Sequence, residues 1–344
     1  MAQLAEPVPA ASARPAWLAS ETIGFIAMVA ILVIAPAFIY PVSLMKALCF
    51  ALFACAFNLL IGYVGLLSFG HALFFGWAAY IAAHLAKVGT ISLPYWRAAG
   101  AWQWLVIPLP PLSPELAILG GTVAAGVLGL IAGAIAIRRQ GIYFAMITLA
   151  LAQMMYFFAV QAPFTHGEDG IQAVPRGWLF GVFSLSGQTA MYITVLVIFL
   201  LGFLLIYRII NSPFGEVLKA IRENEARAIS LGYKTERYKL VAFVMSATLA
   251  GTAGATKAIV FQLASLTDVD WPMSGEVVLM TLVGGLGTIF GPVVGAFIVI
   301  AMQDNLAHYG QWVTVIQGAI FVACVLAFRR GIVGEIANYF RIRL

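Results

Sequence analysis

Apolar runs of membrane-crossing length recur along the chain, near 22–40, 43–63, 67–86, 117–137, 141–162, 189–207, 240–262 and 312–328. A hydrocarbon core of about 30 Å takes roughly 20 residues of helix, so each run predicts a span. Between the last two lies VVLMTLVGGLGTIFGPVVGAFIVIAM (277–302), apolar throughout but interrupted by Gly284, Gly285, Gly287, Gly291 and Pro292. Proline removes a backbone donor and clashes with the preceding turn, which predicts two shorter helices meeting at the break. The pattern as a whole is that of an all-α, polytopic transmembrane bundle of about ten spans, some of them broken or short.

One stretch breaks the pattern. NSPFGEVLKAIRENEARAISLGYKTERYK (211–239) concentrates charge between two apolar runs. It carries helix signals at both ends: Ser212 as cap, Pro213 at the first position, Glu216 in the early turns where the dipole favours an acid, and Gly232 after the last periodic residue. Phe214, Val217, Leu218, Ile221 and Ala228 fall along one face, with Lys219, Arg222, Glu223 and Arg227 pointing elsewhere. One helix over 213–232 is predicted, with Thr235 capping the next span. Such a helix is too polar to span. It either lies on the membrane surface or docks its apolar ridge into a partner's groove. Four acids among six basic residues over 213–239 weigh against simple attraction to anionic lipid and favour docking.

Composition agrees with a lipid environment. The 344 residues are 62% hydrophobic and 10% charged, whereas a soluble domain carries about 25% charged residues. The net charge of +5 is not a nucleic-acid signature, because the basic residues sit at the ends of apolar runs, where orientation in the membrane places them. Arg138 and Arg139, the 208–239 loop, and Arg329, Arg330, Arg341 and Arg343 mark the cytoplasmic side. The 87–116 and 163–188 loops, with Asp268 and Asp270, then fall outside, and both termini inside. The expected divisions are a flexible cytoplasmic tail over 1–21 that is not a cleaved signal peptide, a transmembrane unit over 22–328, and a basic cytoplasmic tail over 329–344. Cys49, Cys55 and Cys324 lie inside apolar runs without metal-type spacing and read as small buried hydrophobes.

LKAIRENEARAISLGYKTERYKLVAFVMSATLAGTAGA (218–255), NLLIGYVGLLSFGHALFFGWAAY (58–80), GIYFAMITLA (141–150), HGEDGI (166–171) and VVLMTLVGGLGTIFGPVVGA (277–296) are long, distinctive segments of this chain. Together they resemble the branched-chain amino acid permease family of ABC importers, over most of 45–328. In that resemblance the charged stretch corresponds to the loop that engages the ATPase, through Phe214, Val217, Leu218, Ile221, Arg222, Glu225 and Gly232. The importer pattern Glu-Ala-Ala-x-x-x-Gly is met only in part: before Gly232 stand Ala226, Arg227 and Ala228, with Glu225 one position early. The resemblance implies a bacterial inner-membrane subunit that pairs with a second, different permease. Two cytoplasmic ATPases below would supply ATP-driven force, and a periplasmic binding protein above would deliver branched-chain or related amino acids. Relatives of this kind also move urea, short amides or aromatic acids. No G-x-x-x-x-G-K-[ST] phosphate loop occurs in the sequence, so ATP is expected on the partners and no cofactor on this chain.

For the transport step, GYVGLLSFGHALFFG (62–76) places Ser68 and His71 in a glycine-rich run, either as plain helix packing or as part of the pathway. Phe290–Gly291 stands after Gly284 and Gly287 much as Phe69–Gly70 stands after Gly65, which hints at two facing breaks. Tyr143 and Thr148 lie in the 141–158 span; bonding of Thr148 to its own helix is the simpler expectation. Lys257 is expected to snorkel outward, and Asp304 and His308 to be solvated at an outer boundary. Glu168 and Asp169 form either a solvated turn or an external docking point. Two carboxylates fall short of a calcium site. A catalytic centre is not expected, for want of a nucleophile with a positioned base or a metal-spaced cluster. A self-contained secondary carrier would need ionisable groups buried mid-span, and an intramembrane enzyme convergent polar groups on facing helices; both are poorly supplied here.

Overall fold

The computed structural model describes residues 16–87, 90–97, 101–108, 112–181, 183–310, 312–327 and 331–339. Ten apolar helices appear among them, six before the charged loop and four after it. The six are α1 (Ala16–Ile34), α2 (Pro41–Tyr63), α3 (His71–Lys87), α4 (Pro114–Ala136), α5 (Ile142–Gln161) and α6 (Gln188–Ile210). The loop holds α7 (Pro213–Glu223) and α8 (Glu225–Ser230), and α9 (Thr235–Phe261), α10 (Trp271–Gly284), α11 (Gly291–Leu306) and α12 (Trp312–Ala327) follow. Five of these, α2, α4, α5, α6 and α9, are each long and apolar enough to cross a membrane alone. A proline in the first turn, where its missing N–H is harmless, starts α2, α4, α7, α10 and α11.

The core is built around α2 and α9. In α2 nearly every residue from Leu44 to Tyr63 is buried, and it packs against α6, α9, α10 and α11. Small residues bring α3, α4 and α9 together at close range. A Cβ on Gly121 would lie 2.6 Å from the Ala78 carbonyl and 3.0 Å from the Ala255 methyl. Between lipid-like surfaces no hydrophobic gain drives helices together, so such close backbone approach is what holds them. By contrast α4, α5 and α6 turn Leu119, Val127, Met154, Phe157, Ile193 and Leu201 outward. These apolar faces suit a hydrocarbon surround.

Several expectations are corrected. The run 67–86 is not one helix: residues 64–70 form a non-helical connection with Gly65 at φ +80°, and α3 starts only at His71. The 213–232 helix is two helices. Asn224 leaves helical conformation at φ −156°, and its side chain accepts from the Arg227 N–H to cap α8. Thr235 does not cap α9; it is the first helical residue, and Lys234 holds the cap position without a side-chain bond. Helix α1 begins at Ala16, inside the stretch expected to be tail, and the C-terminal stretch contains α13 (Gly331–Tyr339), packed on α10 and α11. The 87–116 loop contains an antiparallel hairpin of β1 (Thr90–Arg97) and β2 (Ala101–Pro108), rich in the β-branched and aromatic residues that favour strands. Arg329, Arg330, Arg341 and Arg343 lie outside the described residues. The break at 277–302 forms as expected, with α10 and α11 meeting at 285–290.

Candidate functional site

At the end of the bundle that carries α7 and α8, the loop is seated into the helices above it. Ser212 accepts from the Gly215 N–H at 3.4 Å and caps α7, as its sequence position predicts. Along α7, Leu218 and Ile221 are buried. The apolar ridge expected to face a partner therefore packs into the chain's own membrane body instead, because that body is the nearest apolar surface. Phe214 is half-buried and stacks on Tyr238 of α9, with ring centroids 5.6 Å apart. Glu225 accepts from Lys239 of α9 at 2.5 Å, an ion pair that pins α8 to the start of the next span. Gly232 takes φ +90°, a left-handed turn suited to glycine, and lets the Tyr233 N–H reach the Ala228 carbonyl. Exposed on the far side are Ile229, Leu231 and Tyr233. Half-buried Val217 lines a shallow groove with Ala220, Leu231 and Tyr233.

Arg222 turns upward. Its guanidinium donates to the carbonyl of Gly62, in the last turn of α2, where a helix has unsatisfied carbonyls and a partial negative charge. A Cβ on Gly287 would lie 3.2 Å from the same guanidinium, and one on Gly65 3.2 Å from the Arg222 Cγ. Gly62 and Gly287 themselves abut: a Cβ on Gly62 would stand 2.9 Å from the Gly287 backbone nitrogen. One turn up α2, buried Asn58 donates to the Thr288 carbonyl at 2.9 Å and accepts from the Gly287 N–H at 3.0 Å. Its amide thus satisfies both backbone groups of a segment that has left the helix. Gly284 packs directly on the Gly291 backbone, and Gly331 of α13 on Gly285, so the second break is enclosed by close contacts. Gly65, Gly285 and Gly287 all have positive φ, which the tight chain path demands.

Of the pathway candidates, Ser68, His71 and Thr148 lie around Gly70, where each serves local packing. His71 is buried, with Nε2 2.8 Å from Ser246 Oγ, whose proton goes to the Ala56 carbonyl at 2.5 Å. His71 therefore donates through Nε2. Edge-on rings of Phe57, Phe74 and Phe243 surround it, at 5.2, 5.6 and 5.8 Å. It ties α2, α3 and α9 together within this packing. Ser68 accepts from the Gly70 N–H at 3.2 Å in the first break. Thr148 donates to the Ala145 carbonyl of its own helix at 2.9 Å, as expected, and its backbone is the surface that Gly70 rests on. Tyr143 is exposed at the start of α5, away from both. Glu168 and Asp169 are exposed in a short 3-10 turn, Gly167–Asp169.

At the opposite end, charges are paired in ways the sequence did not reveal. Lys257 does not snorkel: it pairs with Asp268, which is 1% exposed, and sits over the rings of Phe50 and Phe75. Asp304 is bound by Lys46 at 3.1 Å. Tyr80 OH, Trp77 Nε1 and the second Asp268 oxygen are buried without a hydrogen-bond partner. No group of three or more metal-ligating side chains forms among the described residues.

The two chain breaks meet where the charged, capped loop is seated, and comparison with known proteins gives the chain a family. A family model described as the branched-chain amino acid transport system permease component matches residues 41–326. The chain belongs to the branched-chain amino acid transport permease family. Two proteins named high-affinity branched-chain amino acid transport system permease protein LivM are similar over 328 residues, 87% of this chain and 72% of theirs. The one from Escherichia coli K12 is 24% identical and the one from Salmonella typhimurium 25%. An L-arabinose ABC transporter permease, AraH of Azospirillum brasilense, is 27% identical over 225 residues, 62% of this chain and 64% of its own. No solved structure matches. Permeases of this family are membrane transport subunits, and the bundle described here is one.

Proposed function

We propose that this permease is one of two different pore-forming subunits of an ATP-driven importer, carrying branched-chain amino acids across the bacterial inner membrane. The observation that carries this reading is the family match over 41–326, which takes in both breaks and the whole loop between them. The two LivM relatives, similar along 87% of the chain, favour branched-chain amino acids over a sugar. The basic residues at the loop end support a cytoplasmic position for that end and for both termini. The ATPases bind there, on the surface formed by Ala220, Ile229, Leu231 and Tyr233, because Leu218 and Ile221 are already used to seat the loop. ATP is held by those partners, and no cofactor is assigned to this chain. The opposite end meets the periplasmic binding protein, with Glu168 and Asp169 among the exposed groups available to it.

Purification of the chain from its own host in mild detergent, with mass spectrometry of its companions, tests this. The expected companions are an ATPase carrying a phosphate-binding loop and a second, homologous permease. The chain alone, or with copies of itself only, would reject the importer reading.

A further inference from the structure

We infer that Arg222 is the positioning residue through which movement of the loop reaches both helix breaks at once. This rests on the importer reading above and adds an internal transmission contact to it. The side chain sits on the last turn of α7, whose buried Leu218 and Ile221 fix the helix against the membrane body. Its guanidinium donates to the Gly62 carbonyl at the end of α2 and lies against Gly287 in the second break, while its stem lies against Gly65 in the first. Asn58 then locks the second break to α2 through two hydrogen bonds. The segments 64–70 and 285–290 are both non-helical and contain positive-φ glycine. At such places the backbone turns without unwinding a helix, the usual property of a hinge. A displaced loop therefore pulls on the C-terminal end of α2 and on the 285–290 segment together, and one cation bridges them. A guanidinium fits this position because it is planar, always charged and presents its donors in a fixed fork, so it bonds the Gly62 carbonyl while lying against Gly287.

The test uses the full importer with Arg222→Gln and Arg222→Lys. Four quantities are read: the amount of ATPase retained on purification, the thermal midpoint of the membrane complex, the response of ATP hydrolysis to amino-acid-loaded binding protein, and amino-acid uptake. With Arg222→Gln, ATPase retention and midpoint stay at the unsubstituted level. Stimulation of hydrolysis and uptake fall about tenfold, as expected for loss of one charge-assisted hydrogen bond from a transmission step. Arg222→Lys restores part of the stimulation. Full stimulation and uptake in Arg222→Gln would overturn the inference. So would loss of the ATPase from the purified complex, which would make Arg222 a docking residue instead. Failure of the unsubstituted chain to retain any ATPase would overturn the importer reading itself, and is recognised because it precedes any substitution.

Discussion

At the residue scale, the balance between burial and pairing decides which polar groups this membrane body tolerates. Asp268 is almost fully buried and is paired with Lys257, itself held over two phenyl rings. Removing one partner of such a pair strands the other charge away from water. Lys257→Ala is expected to cost about 3–5 kcal/mol, whereas Lys257→Met together with Asp268→Leu, apolar and of similar volume, recovers most of it. Thermal unfolding of the detergent-solubilised complex checks the pair of variants. Equal midpoints for Lys257→Ala and the unsubstituted protein would mean that the pair is solvated. From sequence Lys257 reads as a snorkelling lysine, since an isolated cation near a span end has that default and Asp268 lies beyond the end of the span. The partnership of Lys46 with Asp304 is still less accessible, because 258 positions separate them. Asn58 gave no signal either: a lone amide in an apolar run acquires meaning only when a broken backbone is brought against it.

At the element scale, hydrophobic periodicity located the loop helix and its capping residue but not its partner. An apolar ridge states that something covers it. It does not say whether that is the chain's own body or another protein, and here the body wins. Leu218→Asp or Ile221→Asp is therefore expected to unseat α7, lowering the thermal midpoint and the yield of folded protein together with uptake. Leu231→Asp, on the exposed side, is expected to leave the midpoint unchanged while reducing ATPase retained on purification. Reversed results, with Leu231 structural and Leu218 dispensable to folding, would contradict this orientation of the helix. The 285–290 break was legible because glycine and proline act on the backbone locally, whereas that at 64–70 was only hinted at, its last residues reading as part of a span. The Asn224 break was not, since a single asparagine disfavours a helix interior only mildly and its use as a cap depends on the turn actually made.

At the scale of the whole molecule, the span pattern, the broken segment at 277–302 and the intervening loop were all readable from hydropathy and charge. These features follow from the solvent rather than from side-chain detail. The pathway was not readable: Ser68, His71 and Thr148 meet around Gly70 as packing groups, with His71 sealed among aromatic rings, and Tyr143 is exposed. This suits a subunit whose conduit is completed by a second permease, as the proposed assembly requires. The joined breaks at the ends of α2 and α10 give a mechanical route from the loop into the membrane, so the decisive question is whether transport is driven from that side. It is answered by uptake of labelled leucine into liposomes carrying this permease with its partner permease and ATPases, ATP enclosed on the ATPase side and binding protein outside. The expected result is accumulation that requires ATP, is competed by isoleucine and valine, and is indifferent to arabinose and urea. Leucine uptake that proceeds without ATP on an ion gradient, or ATP-driven uptake of arabinose but not leucine, would contradict the importer mechanism proposed for this chain.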